Sequence, residues 1–199
     1  MSDRYDELMT GLYTGAVPDW LPGAKRPVFL RESVRRRCEL GSALRQNWPC
    51  TMFFARCVLS EDFALSVFQH WPAYCRVATE VTTGLYLGLK HAIHEAGTAP
   101  ALWELFQYET LHVTTGSCTV EIPRLAKDRL ISAGLDGQEV YRFELRVPEL
   151  WSRMKLYHAA LAPAHFVRDY EVVHGATYVA RSRRNDRWLL DDVTDAFAQ

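Results

Sequence analysis

The stretch from Pro100 to Gly116, PALWELFQYETLHVTTG, constrains the fold of this chain more than any other segment. Its apolar side chains recur at helical spacing between an early proline and a closing glycine, which predicts an amphipathic helix. Glu109 lies on the apolar stripe, and a carboxylate there is costly unless it is paired. His112 follows three residues later on the same side of the helix. We therefore predict that Glu109 and His112 form a structural buried pair, with an arginine elsewhere as an alternative partner for Glu109.

The same two residues also form a Glu-x-x-His pattern, which is half of the ligand set of helical di-iron carboxylate proteins. A second such pattern runs from Glu171 to His174, but it lies next to a glycine and a predicted strand rather than inside a long helix. It is therefore poorly placed to face Glu109. A di-iron oxidase that uses Glu80, Glu109 and His112 remains an alternative.

Composition limits the class of protein. The chain has 199 residues, of which 48% are hydrophobic and 24% charged, and this is typical of a globular protein with a real core. A formal net charge of -1 argues against nucleic acid as a partner. The N-terminus shows no signal-peptide pattern, and Arg56 interrupts the most apolar run, from Pro49 to Leu59. We expect no membrane partner and a cytoplasmic location.

Other reactive residues predict no cofactor or metal in this chain. The cysteines are odd in number and lack a Cys-x-x-Cys pair, so we interpret them as reduced thiols. His91 and His94, near Glu95, are interpreted as histidines at a helix surface or core edge. Cys118, beside Ser117, lacks a third group that would orient a nucleophile, and we interpret it as a loop thiol. The five cysteines are Cys38, Cys50, Cys57, Cys75 and Cys118.

Residues 1–118 are predicted to form a helical domain with an extended N-terminal arm. Glycines and prolines break the pattern from Met1 to Pro27, which predicts the arm. A helix with a basic face follows from Phe29 to Trp48. Further helices occupy Cys50 to Thr98, with a turn at His70-Trp71-Pro72 before a helix from Ala73 to Ala96.

Residues 119–199 are predicted to form a small α+β domain, with a boundary between Gly116 and Pro123. The alternation in YRFELRV, Tyr141 to Val147, predicts a half-buried strand. A short helix is predicted from Glu149 to Ala160. Two final runs around Asn-Asp, Thr177 to Arg183 and Arg187 to Val193, predict a hairpin. The fold class is therefore α+β, with a helical N-terminal half followed by a small antiparallel β-sheet.

The hairpin also offers a binding surface. An exposed sheet edge can add a peptide as a further strand, because backbone hydrogen bonds hold it and side-chain pockets select it. The alternative is an edge blunted by charge against aggregation. The arginines from Arg31 to Arg45 likewise form either a solvated face or a docking face for an acidic peptide. The predicted peptide-binding residues are Arg187, Trp188, Leu189, Leu190, Asp191 and Asp192.

The order of these parts resembles a known family. A helix reading PALWELFQYETLHV, then a strand like YRFELRVPEL and a closing hairpin TYVARSRRNDRWLLDDV, is similar to the partner subunits of multinuclear non-heme iron oxidative enzymes. Those subunits assist the modification of ribosomally synthesised peptides. The length and the arginine-containing first half look most like the partner subunit from 3-thiaglutamate biosynthesis, where the β-carbon of a peptide cysteine is excised.

The resemblance implies a non-catalytic role for this chain. It would bind the leader of a precursor peptide through a recognition element and present the peptide to the iron enzyme, with the iron held by the partner subunit and no cofactor here. The strand from Arg187 to Asp192 would receive the leader. In the family the recognition element continues into helices after its sheet, whereas this sequence stops at Gln199, so we expect walls of the groove to come from Glu149 to Ala160 or from the first half. A generic protein-binding adaptor is a further alternative.

Overall fold

The chain folds as predicted for its class, with helices up to residue 113 and an antiparallel sheet after it. The computed structural model describes residues 2–74, 81–97, 100–113, 129–133, 138–184 and 187–197. The helices are α1 (Ser2–Thr14), α2 (Arg26–Asn47), α3 (Pro49–Val58), α4 (Phe63–Tyr74), α5 (Val81–Ala96), α6 (Pro100–Val113), α7 (Val147–Ala159), α8 (Ala164–Arg168) and α9 (Thr194–Phe197), with a 3-10 turn at Gly23–Lys25. The strands are β1 (Leu130–Ala133), β2 (Glu139–Leu145), β3 (His174–Arg184) and β4 (Arg187–Asp192).

These elements belong to two compact units. The first, here the helical unit, contains Met1–Asn47 and Leu59–Gly97, and the second, the sheet unit, contains Trp48–Val58 and Thr98–Gln199. The predicted boundary between Gly116 and Pro123 lies outside the described residues. The units divide the chain differently from that prediction, because α3 and α6 pack with α7 and therefore join the sheet rather than the other helices.

The helical unit corrects the predicted N-terminal arm. Residues 2–14 form α1 rather than extended chain, and the helix ends where Gly15 adopts a positive φ of 87° and donates its N–H to the carbonyl of Gly11 at 2.8 Å. A glycine with positive φ commonly terminates a helix. Gly15 therefore ends α1, and it does not indicate that the residues before it are irregular. Tyr13 is buried and packs edge-on against Trp71, with ring centroids 6.1 Å apart.

The predicted turn at His70-Trp71-Pro72 is also wrong. The helix α4 continues through Pro72 to Tyr74. Proline removes one backbone N–H from the helix and crowds the carbonyl four residues earlier, here that of Phe68, so α4 carries a local cost at Pro72. Burial of Trp71 and Pro72 favours the continued helix. The neighbouring α5 approaches α4 closely at Gly88, where an added Cβ would lie 3.3 Å from Cγ1 of Val67.

The sheet unit contains a four-stranded antiparallel sheet in the order β1-β2-β3-β4 within the described residues. The predicted alternation in β2 is confirmed, since Tyr141, Phe143 and Leu145 are buried and the residues between them are exposed. The strand β1, Leu130–Ala133, is not among the elements predicted from the sequence. A register shift in β3 opposite the end of β2 contains Gly175, whose φ of 145° suits glycine.

Helix α6 is buried on almost every side rather than along one stripe. Its buried residues include two carboxylates, Glu104 and Glu109, each 3% exposed. The oxygens of Glu109 accept hydrogen bonds from the backbone N–H groups of Cys50 at 3.0 Å and Thr51 at 2.8 Å, in the first turn of α3. Since the first N–H groups of a helix have no intrahelical acceptor, Glu109 serves as a cap supplied by another helix.

Glu104 holds the end of β2 in a similar way. Its Oε2 accepts the N–H groups of Glu144 at 2.9 Å and Leu145 at 3.0 Å, and its Oε1 lies 2.9 Å from the guanidinium of Arg129. Both N–H groups lie at the end of β2, next to the register shift with β3. The carboxylate therefore ties this end of the strand to α6.

We expect Glu109→Gln to lower the free energy of unfolding by roughly 1 to 3 kcal/mol, because the new amide N–H₂ would face one of the two α3 N–H groups and leave it without an acceptor. Urea denaturation measures this change. The matched control is Glu171→Gln, at an exposed glutamate of the same unit, where a change within about 0.5 kcal/mol is expected. Equal stability of the two variants would contradict a capping role.

Candidate functional site

The candidate site is the outer side of β4. This strand pairs with β3 in a continuous register from Arg184↔Arg187 to Val179↔Asp192, and no strand in the described parts of the chain pairs with its other side. Val193 donates its N–H to the carbonyl of Tyr178 at 2.9 Å, so this pair is hydrogen-bonded across the hairpin.

The position of this hydrogen bond determines which backbone groups of β4 bind to β3 and which point away from it. In an antiparallel ladder, hydrogen-bonded pairs alternate with non-hydrogen-bonded pairs. Counting back from Val193, the backbone groups of Asp191 and Leu189 point to β3, whereas those of Asp192 and Leu190 point away from the sheet. The outward N–H and C=O groups are therefore spaced two residues apart, as an incoming strand requires.

The side chains of the predicted site residues differ in their surroundings. Leu189 is 40% exposed and Asp191 is also exposed, whereas Leu190 is partly buried opposite Arg181 on the buried face of β3. The Asp192 carboxylate accepts hydrogen bonds from the backbone N–H and the hydroxyl of Thr194, so it caps the short helix α9. Of Arg187 and Trp188, only the backbone register is described.

A pocket of 360 Å³ lies at the C-terminal end of β4. It is bounded by the junction of β2 with α7 and by the turn between β4 and α9. Three carboxylates and one guanidinium face it, which makes it net negative. The lining residues are Arg146, Pro148, Glu149, Thr177, Asp192, Thr194 and Asp195.

Glu109 and His112 lie in a buried cluster, where hydrogen bonds and ring stacking hold their side chains in place. We expected His112 or an arginine to satisfy Glu109, and backbone N–H groups of α3 fill that role. Burial raises the pKa of Glu109, and the hydrogen bonds from Thr51 and Cys50 partly offset this effect. His112 stacks on the indole of Trp151, with centroids 4.3 Å apart and the planes 8° apart.

The thiol of Cys50 belongs to the same cluster, in surroundings that disfavour its ionisation. Burial raises its pKa well above the ordinary range of a cysteine, and the nearby Glu109 carboxylate raises it further. A thiol must ionise to react, so this environment keeps it inert. Cys57 is also buried and reduced, and Cys38 is exposed and reduced. Cys75 and Cys118 lie outside the described residues.

In the described residues, the second Glu-x-x-His pattern does not join Glu109 in a shared site. Both oxygens of Glu109 are occupied by backbone N–H groups. Glu171 and His174 are exposed, the first outside any helix or strand and the second at the start of β3. Glu80, like Ser117, is outside the described part of the chain.

A cluster that sequence reasoning missed lies in the helical unit. His70 in α4 approaches His91 and Glu95 in α5, and its Nε2 is 2.9 Å from the Glu95 carboxylate. This hydrogen bond lowers the pKa of Glu95, and His91 adds to the effect. The spacing of His91 and Glu95 was visible in the sequence. His70 was not associated with them because the predicted turn at residues 70–72 placed it outside a helix.

Two of the five arginines from Arg31 to Arg45 pair with glutamates of α2 itself. The carboxylate of Glu32 lies 2.6 Å from Arg35 and 2.8 Å from Arg36, and Arg35 also contacts Glu39 at 2.5 Å. The hydrogen bond from Arg35 is the main cause that lowers the pKa of Glu32 to about 2. Pairs at this helical spacing stabilise the helix, and they reduce the charge that Arg35 and Arg36 offer to an acidic peptide.

Comparison with protein-family models, with curated proteins and with solved structures finds no significant match for this chain. Among the residues described, no helix has both the length and the apolar character needed to cross a bilayer. The evidence for function therefore comes from the residues themselves.

Protonation of His112 predicts a pH dependence of stability. Burial, with a smaller effect of Lys155, lowers the pKa of His112 from 6.5 to about 4. The unfolded chain therefore binds the proton more readily, and His112 contributes stability above pH 6.5 that is lost as the pH falls towards 4. We expect His112→Phe, which keeps an aromatic ring against Trp151, to lose less stability over this window. Urea denaturation of both proteins from pH 7 to pH 4 measures the difference, and parallel curves would contradict the assignment.

Proposed function

We propose that this chain is a non-catalytic subunit that binds the leader of a precursor peptide and presents it to an iron-dependent oxidative enzyme in the cytoplasm. The observation that carries peptide binding is the outer edge of β4, where the backbone of Leu190 and Asp192 points away from β3. Strand addition needs such a row of outward backbone groups beside accessible side chains.

Of the two edges in the described sheet, β4 is the better suited. It has six residues and an unbroken register with β3, whereas β1 has four residues and a register shift against β2. A regular strand offers evenly spaced partners to an incoming strand, and a bulge interrupts them.

The pocket beyond the end of β4 supplies a further recognition element. A peptide that continues past Asp192 would meet the carboxylates of Glu149 and Asp195, with Arg146 as the opposing charge. Charge complementarity favours a lysine or arginine of the peptide at this point. Helix α7 begins here, so the wall expected from residues 149–160 would be in reach of the bound peptide.

The role of the iron enzyme rests on the resemblance of the sequence to partner subunits of multinuclear non-heme iron enzymes. By that resemblance, the partner subunit holds the iron and this chain delivers the peptide whose cysteine is modified, with β-carbon excision as in 3-thiaglutamate biosynthesis. The alternative of a di-iron oxidase is less well supported, because the oxygens of Glu109 already accept backbone N–H groups.

Proline substitutions distinguish the N–H groups of β4 that point outward from those that pair with β3. Leu190→Pro removes an outward N–H and should weaken binding of a labelled leader peptide, roughly tenfold for a lost bond of about 1.4 kcal/mol, while the sheet remains folded. Leu190→Ala is the control for loss of the side chain. Leu189→Pro removes an N–H that pairs with β3 and should instead lower the melting temperature.

The measurement is fluorescence anisotropy of a labelled leader peptide, with folding checked by circular dichroism. Binding of the folded Leu190→Pro variant at the affinity of Leu190→Ala would place the groove elsewhere. A leader whose backbone amide opposite Leu190 is N-methylated should lose affinity for the parent protein in the same way, since it lacks the complementary donor.

The location of the iron is a second test. Co-purified with the iron enzyme, the complex should keep its iron content when this chain carries Glu109→Gln or His112→Phe, because we assign the iron to the partner subunit. Elemental analysis of the complex and of the isolated chain measures this. One or two irons in the isolated chain that both substitutions remove would overturn the proposal in favour of the di-iron oxidase.

A further inference from the structure

His70, His91 and Glu95 place three potential metal ligands together in the helical unit. Their ligand atoms all lie within 4.8 Å of one another. Nε2 of His70 is 2.9 Å from one oxygen of Glu95, and Nε2 of His91 is 3.2 Å from the other. The three side chains come from two helices, α4 and α5, so the cluster depends on how these helices pack.

The distances suit a small divalent ion. Zn²⁺ binds histidine nitrogen and carboxylate oxygen at about 2.0 to 2.1 Å, and in a tetrahedral site this separates neighbouring ligand atoms by roughly 3.3 Å. The two measured nitrogen–oxygen distances lie close to that value. We propose that His70, His91 and Glu95 bind a divalent transition-metal ion of the Zn²⁺ class. The ion takes the place of the protons that otherwise lie between the carboxylate and the imidazoles.

The surroundings of His91 support this assignment. The hydroxyl of Tyr74 lies 2.8 Å from Nδ1 of His91, which leaves Nε2 directed at Glu95. A ligating histidine commonly donates its second ring N–H to such an outer partner, which fixes the tautomer and the orientation of the ring. The rings of His70 and His91 are stacked beside Glu95, with centroids 4.0 Å apart and planes 23° apart. A ring nitrogen binds a metal in the plane of its ring, so one of the two imidazoles rotates when both Nε2 atoms bind the same ion.

The site is accessible and has an open position. The side chains of His91 and Glu95 are 43% and 56% exposed, so an ion can enter without unfolding. Three protein ligands leave at least one position of a tetrahedral ion for water or another molecule. The site goes beyond the proposed peptide binding, since none of its ligands lies in the sheet unit.

Titration of the chelator-stripped full chain with Zn²⁺ by isothermal calorimetry tests the proposal. We expect one ion per chain, and a higher melting temperature with Zn²⁺ than without it. Tyr74→Phe should weaken binding by roughly 10-fold or more, as for other outer partners. His70→Ala, His91→Ala and Glu95→Gln should each weaken it further than Tyr74→Phe does. Co²⁺ in place of Zn²⁺ should give visible absorption bands that these ligand variants lose.

The matched control is His94→Ala, which removes a histidine of the same helix that is outside the cluster and should leave affinity unchanged. Absence of one-to-one binding by the parent would overturn the proposal, as would a folded His70→Ala/His91→Ala variant that binds Zn²⁺ as the parent does. Leader binding measured in EDTA reports on β4 alone, so failure of the metal site and failure of the proposed function are distinguishable.

Discussion

The sheet unit depends on two carboxylates buried in one helix. Glu104 and Glu109 lie in α6, and each accepts two backbone N–H groups from another element, the end of β2 and the start of α3 respectively. Burial raises the pKa of both groups, which measures the cost of removing their charge from water. Hydrogen bonds to an ionised acceptor are strong enough to offset much of this cost. Because one rigid helix carries both, the start of α3 and the end of β2 are fixed relative to each other.

The position of the candidate site follows from this arrangement. Leu145, at the end of β2, donates its N–H to Glu104 and accepts a hydrogen bond from the hydroxyl of Thr177 at 2.9 Å. The next residue, Arg146, starts the turn into α7 and lines the pocket. Strand β3 is held on one side by β2 and carries β4 on the other. The outer backbone of β4 therefore belongs to a sheet in which the irregular end of β2 is hydrogen-bonded to the buried helix α6.

Local patterns in the sequence predicted much of this fold. The alternation around Phe143 predicted β2, and turn residues between two apolar runs predicted the hairpin of β3 and β4. Features that depend on tertiary contacts were not predictable in this way. The acceptor role of Glu109 required knowing that α3 starts beside it, and Pro72 was tolerated because the end of α4 is buried. His70 was missed for the same reason, since the helix that carries it was predicted to end too early.

The hairpin edge itself allowed two interpretations from sequence, a receptor for a peptide or an edge protected against aggregation. Protected edges use proline, bulges, charged side chains or very short strands, and β4 carries charged residues at both of its ends. In β4 the register with β3 is unbroken, and the centre of the strand holds Leu189 and Leu190, with its acidic residues at one end. One of these, Asp192, is engaged in capping α9, and so its charge is directed at Thr194. An edge of this length that lacks these protective devices at its centre is suited to pairing with another strand, and this is the physical reason to favour the receptor interpretation.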